Sequence, residues 1–124
     1  MAHGRKQHAW YVPPTWPASS PYLPVVAELY WVDTLLYGND PAPRRPAVVL
    51  TVPTVVHAPI QIVTRTTDLE TDGVPHPRQP GLGLDEGVFS DLRNVDKHHW
   101  HAPRVTPIAT LDPETMAEVL RRFL

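Results

Sequence analysis

The chain's most informative segment is the run PAVVLTV at residues 46–52, which is rich in β-branched and aliphatic residues. A short, continuously apolar run of this kind is typical of a strand that is buried on both faces. Pro46 suits its start, because proline is tolerated at the first position of a strand. Proline also holds the preceding residue, Arg45, in an extended conformation. The segment therefore predicts a core strand that begins directly after a stiffly held arginine.

Four other segments have strand character and one has helical character. The strands are predicted at residues 28–33, 60–67, 87–96 and 105–111, with loops at 37–45 and 68–81. Asp112 is a suitable N-cap and Pro113 a suitable first residue for a terminal helix. One apolar stripe follows at helical spacing: Met116, Val119, Leu120, Phe123 and Leu124. We therefore predict a mainly β fold, a small and strongly bent sheet or barrel, with a C-terminal α-helix.

Length and composition narrow the class of protein. The 124 residues predict one domain, and the net charge of -2 excludes a globally basic nucleic-acid binder but not a local basic cleft. The chain has no cysteine, which excludes disulfides, a cysteine nucleophile and a thiolate metal site. Residues 1–24 contain five prolines and no acidic residue, so we expect a flexible extension there and the folded domain at 25–124. No apolar run approaches the length of a membrane span. The lack of cysteine fits a protein of the reducing cytoplasm.

Three motifs carry polar groups that could perform chemistry. Arg44 and Arg45 stand at the entrance to the buried strand, where a guanidinium suits a phosphate or is simply solvated. In TRTTD, at residues 64–68, alternation places Thr64 and Thr66 on one face and Arg65 and Thr67 on the other. These threonines could bind phosphate oxygens or merely favour a strand.

The third motif is HHWH, residues 98–101. Zinc would need a further ligand and a fixed geometry, so we expect no metal here. A loop with a surface-packed Trp100 is the favoured interpretation, and the histidines could also contact RNA or titrate near neutral pH.

Taken in order, the segments of residues 26–124 resemble the MazF/PemK (Kid) toxins of bacterial toxin–antitoxin modules. The segments that carry the resemblance are AELYWVD (27–33), GND (38–40), RRPAVVL (44–50), IVTRTT (62–67), GVFSDLRNVDK (87–97) and IATLDPET (108–115). The resemblance implies an SH3-like or CcdB-like barrel that forms a homodimer in the cytoplasm. It implies a cofactor- and metal-independent endoribonuclease that cuts single-stranded RNA in a sequence-specific way, leaving a 2',3'-cyclic phosphate and a 5'-hydroxyl. A cognate antitoxin is the implied protein partner.

The resemblance also implies roles for particular residues. Arg45 would stabilise charge on the phosphorane, Thr66 would position the phosphate, and Asp40 and Asp91 would be the site's acids. The remaining RNA-binding candidates are Arg44, Arg65, Thr67, His98 and His99.

The chain departs from the Kid pattern at three places. Phe89 stands where an arginine is usual, Leu92 where a glutamine is usual, and Asn39 near the position of a loop histidine. The proton-transfer partner is therefore open among His57, His76, His98, His99 and His101. A non-catalytic homologue that binds nucleic acid or antitoxin is one alternative. A CcdB-like gyrase poison is another, although the ending RRFL at 121–124 lacks that family's tryptophan–glycine–isoleucine ending.

Overall fold

The computed structural model describes residues 23–55 and 58–124, and this part of the chain forms one antiparallel sheet with a C-terminal helix. The elements are β1 (Glu28–Asp33), β2 (Arg44–Thr51), β3 (Ile60–Thr66), β4 (Val74–His76), β5 (Gly87–Val95), β6 (Val105–Thr110) and α1 (Pro113–Phe123). The strand order is β4-β5-β3-β2-β1-β6. The mainly β class with a C-terminal helix is confirmed.

Most predicted elements lie where the sequence pattern placed them, with two differences. Strand β2 begins at Arg44, because Arg44 and Arg45 pair in register with Asp33 and Val32 of β1. The second difference is in residues 68–81, where the prediction of a continuous loop is wrong. Three of these residues form β4, in which Val74 pairs with Phe89 of β5.

The sheet has a hydrophobic cluster on each face, which explains the continuous apolar run in β2. Ala47 and Val49 belong to the cluster on the first face, and Val48 and Leu50 to the cluster on the second. The second face is covered by α1 through Met116 and other apolar residues of the helix. Burial on both faces removes the polar alternation that a half-exposed strand would show.

The segment between β5 and β6 closes the first face. Trp100 is fully buried and packs its ring edge against Tyr30, with 4.9 Å between ring centroids. The expectation of a surface-packed Trp100 is therefore wrong, since the indole is part of the core.

The helix begins as its capping residues predict. Asp112 Oδ2 accepts a hydrogen bond from the Thr115 backbone N–H at 2.9 Å, and Pro113 is the first helical residue. This bond satisfies one of the amide groups that the first helical turn leaves unpaired. None of the helices in the described ranges is long and apolar enough to cross a membrane.

The described chain begins inside the core rather than at its edge. Leu23 is 8% exposed and belongs to the cluster on the first face, and its carbonyl accepts a hydrogen bond from Tyr30 at 3.4 Å. The folded part therefore includes residues 23 and 24. Residues 1–22 of the extension expected at 1–24 lie outside the described residues.

Candidate functional site

The loop between β1 and β2 is shaped to return to the start of β2. A short 3₁₀ turn follows β1, and the Thr34 carbonyl accepts a hydrogen bond from the Gly38 N–H at 2.8 Å. Gly38 and Asn39 then adopt positive φ angles of 73° and 54°. Glycine and asparagine are the residues that adopt this left-handed conformation at least cost. The turn brings Asp40, the next residue, back beside β2.

Asp40 and Arg45 form an ion pair at the centre of this loop. Arg45 Nε donates to Asp40 Oδ2 at 2.7 Å, and the side chains are 23% and 6% exposed, respectively. Asp40 also accepts from the Tyr37 hydroxyl at 2.9 Å and from the Ala42 N–H at 3.0 Å. Arg45 is thus held by one edge of its guanidinium, while its two terminal amino groups make no hydrogen bond to the described residues.

These contacts settle which groups are charged. The hydrogen bond from Arg45 is the main reason that the pKa of Asp40 is lowered from 3.8 to about 2. The pKa of Tyr37 is raised, first by burial and then by its hydrogen bond to Asp40. Near neutral pH the site therefore contains an ionised carboxylate, a neutral phenol and a guanidinium. Asp40 is too acidic to carry a proton there, so its geometry suits the positioning of Arg45.

Thr66 and Asp91 project from the same face as Arg45. The register pairs Ala47 of β2 with Thr64 of β3, and Thr64 with Asp91 of β5. Arg45 lies two residues before Ala47 and Thr66 lies two residues after Thr64, so in this antiparallel pair both are displaced toward the same end. Strand side chains alternate with a period of two, so both stay on the same face. The charge of Asp91 contributes to the raised pKa of Arg45, after the larger effect of Asp40. The fold thus brings the four predicted catalytic residues to one end of one face.

Two residues that the sequence analysis missed complete this cluster. Arg93 lies on the same face of β5 as Asp91 and stacks its guanidinium over the Tyr37 ring at 5.0 Å from the centroid. Tyr37 in turn donates to Asp40, so the four side chains form a continuous chain from Arg93 to Arg45. The two-residue spacing from Asp91 was a signal for Arg93, whereas nothing in the local sequence distinguished Tyr37.

Two of the predicted RNA-binding residues, Arg44 and Thr67, are exposed to solvent. Arg44 is exposed and lies over the Trp31 ring at 4.8 Å from the centroid, on the other face of β2 from Arg45. Thr67 is exposed in the turn after β3. The Thr66 hydroxyl oxygen accepts from the Asp68 N–H at 3.1 Å, which leaves its O–H able to donate.

The structure contradicts an RNA-binding role for Arg65. Its side chain is 2% exposed, and its Nε donates to His76 Nδ1 at 3.0 Å. Gly87 makes room for it, because a Cβ there would lie 2.6 Å from Arg65 Nη1. The alternation of β3 was correct, but the face opposite Thr66 is core rather than surface.

The candidate histidines are divided between the two ends of the sheet. The carbonyl of His101 accepts from the N–H of Val105, which pairs with Val32 of β1, and Val32 pairs with Arg45. His98 and His99 follow the end of β5 where Val95 pairs with Ile60, at the opposite end of β3 from Thr66. His76 is buried, and His57 lies outside the described residues. Across residues 23–55 and 58–124, no three histidine, aspartate or glutamate side chains are grouped closely enough to hold a metal ion.

Comparison with solved structures finds the same fold in MazF proteins. The crystal structure of MazF (form I) from Deinococcus radiodurans has a TM-score of 0.58 and 25% identity, over 79% of this chain and 90% of that one. The MazE–MazF structure (form III) from the same organism has a TM-score of 0.54 and 27% identity, over 82% and 92%. Form II of MazE–MazF has a TM-score of 0.55 and 25% identity. No protein-family model and no curated protein matches the chain.

Proposed function

Because the chain is a MazF-family toxin of a toxin–antitoxin module, we propose that it is an endoribonuclease that cuts single-stranded RNA. In this proposal it acts in the cytoplasm on messenger RNA at a preferred sequence and so inhibits translation and growth. The reaction needs no metal. The 2'-hydroxyl attacks the adjacent phosphorus and the bond to the 5'-oxygen breaks, leaving a 2',3'-cyclic phosphate and a 5'-hydroxyl.

The arrangement of Arg45 carries this proposal. Negative charge builds on the non-bridging oxygens during the attack, and a donor that is already oriented stabilises that charge without reorganising. Asp40 holds Arg45 by Nε and leaves the two terminal amino groups to donate to those oxygens. A planar guanidinium can grip two phosphate oxygens at once.

Two further side chains have roles in the proposal. The hydroxyl of Thr66 donates to the phosphate and fixes its position, since its O–H is not used by the turn that follows. Asp91 is an exposed carboxylate on the same face and accepts the proton of the attacking 2'-hydroxyl, while the departing 5'-oxygen takes a proton from water. Arg44 and Thr67 are exposed and contact the RNA outside the reacting phosphate.

Incubation with RNA tests the proposal directly. The purified full chain is mixed with a long transcript in the presence of EDTA, and the cut ends are mapped and chemically identified. We expect cleavage at a recurring short sequence with cyclic phosphate and 5'-hydroxyl ends. An intact transcript would favour a non-catalytic binding protein, and activity that EDTA abolishes and zinc restores would overturn the metal-free mechanism.

We also propose two protein partners. One is a second copy of the chain, because Leu124 is 76% exposed at the end of a helix whose other apolar residues pack on the sheet. The other is an antitoxin with an acidic or amphipathic segment that orders when it covers the RNA-binding surface. The two MazE–MazF neighbours support the second partner.

A further inference from the structure

Arg93 has the surroundings of a ligand-binding cation rather than those of a structural one. Its guanidinium lies over the Tyr37 ring, and its Nε is buried without a hydrogen-bond partner in the described part of the chain. No carboxylate of residues 23–55 and 58–124 forms a salt bridge with it. A buried donor that has lost water and gained no acceptor is rare in proteins, because it costs stability. The terminal amino groups of the same guanidinium make no hydrogen bond to the described residues, and an anion bound there would offset part of this cost.

The charge of Arg45 is already partly compensated. Asp40 is ionised and only 2.7 Å away, so the Arg45–Asp40 pair has no net charge. A phosphodiester carries one negative charge, and the phosphorane formed during attack carries more. The face that carries Arg45 therefore needs a second cation, and Arg93 lies on it, two residues from Asp91 on β5.

Tyr37 fixes this second cation relative to the first. Its hydroxyl donates to Asp40 while its ring supports Arg93, so one side chain contacts both halves of the site. A guanidinium stacked on an aromatic ring keeps its edge available for hydrogen bonds. The arrangement orients the Arg93 guanidinium without neutralising it.

We infer that Arg93 binds an RNA phosphate as a second cation beside Arg45, with Tyr37 as the residue that positions it. The inference rests on the proposed ribonuclease function and adds to it the residue that supplies the uncompensated positive charge. Phosphodiester groups of RNA are the ligand class.

Four proteins test the inference: wild type, Arg93→Gln, Arg93→Lys and a matched control, Arg121→Gln. Arg121 is an exposed arginine on α1, where it pairs with Glu118. Each protein is assayed for cleavage of an RNA transcript and for binding of a 2'-O-methyl RNA oligonucleotide, which cannot be cut, over a range of salt concentrations. Circular dichroism and thermal melting check that each variant is folded.

We expect Arg93→Gln to slow cleavage by about 10- to 100-fold, as for the loss of a hydrogen bond to a charged group. The slope of log affinity against log salt should fall by about 0.7, for one lost phosphate contact on single-stranded RNA. Arg93→Lys should keep the salt slope but restore cleavage only in part, because ammonium lacks the planar stack. Arg121→Gln should match wild type in both assays.

The outcomes separate the inference from the proposed function. If wild type cuts RNA and Arg93→Gln cuts and binds equally well, the inference is wrong and the ribonuclease stands. If wild type binds the oligonucleotide without cutting any RNA, the cleavage proposal fails and the salt slope alone decides the role of Arg93. A wild-type protein that neither cuts nor binds RNA would overturn both.

Discussion

Replacement of Asp40 by asparagine tests the ion pair on which the site depends. The pKa of Asp40 is lowered from 3.8 to about 2, chiefly by the hydrogen bond from Arg45. Each pH unit of that gap corresponds to about 1.4 kcal/mol, so the ionised carboxylate stabilises the fold by about 2.5 kcal/mol. The pKa of Asp40 is lower in the folded state than in the unfolded state. This stabilisation is therefore fully present above the unfolded-state pKa of 3.8, and it is lost as the pH falls through the folded-state pKa of about 2. Asp40→Asn should therefore lower the free energy of unfolding by about 2.5 kcal/mol near neutral pH.

Urea denaturation of wild type and Asp40→Asn at several pH values measures this difference. The difference in unfolding free energy between the two proteins should shrink between about pH 4 and pH 2. The other carboxylates titrate equally in both proteins, so their effects cancel in this difference. Glu86→Gln is the matched control, because that side chain is exposed, and it should change stability by less than about 0.5 kcal/mol. Equal unfolding free energies for Asp40→Asn and wild type near neutral pH would refute the argument, since Asp40 would then gain nothing from Arg45.

Two further predictions concern the ends of the domain. Removal of residues 1–22 should leave the melting temperature and RNA cleavage nearly unchanged. Removal of residues 1–24 should lower the free energy of unfolding by about 2–5 kcal/mol, because Leu23 is part of the core. Equal melting temperatures for the two truncated proteins would contradict this. In light scattering at micromolar concentration the full chain should have the mass of a homodimer, and a strictly monomeric mass would count against the proposed assembly.

The elements that the sequence predicted best are those whose signals are local. The alternation of residues 28–33 gave the bounds of β1, and Asp112 with Pro113 gave the start of α1. Strand β4 was missed because three residues that include Pro75 give no periodic pattern. Its existence depends on pairing with β5, which is a contact distant in sequence.

The site was predictable only in part, for the same reason. Strand alternation correctly separated Arg65 from Thr66, but one strand cannot show that both faces of its sheet are covered. Trp100 was misassigned because its burial depends on contact with Tyr30, seventy residues earlier. The ion pair of Asp40 with Arg45 and the contact of Tyr37 with Arg93 arise from how the loop folds back, which residue spacing does not encode.

The cleavage rates of Arg45→Ala and Arg44→Ala provide the most direct test of the central claim, that a preorganised Arg45 stabilises the cleaved phosphate. Both variants are compared with wild type on one RNA at saturating protein, and Arg45→Lys is included. We expect Arg45→Ala to lose about a hundred- to a thousandfold in rate with its fold intact, and Arg45→Lys to recover only part of it. Arg44→Ala should cut nearly as fast as wild type and bind RNA more weakly, with the largest loss of affinity at low salt. Normal cutting by Arg45→Ala, or a greater loss in Arg44→Ala, would contradict the account.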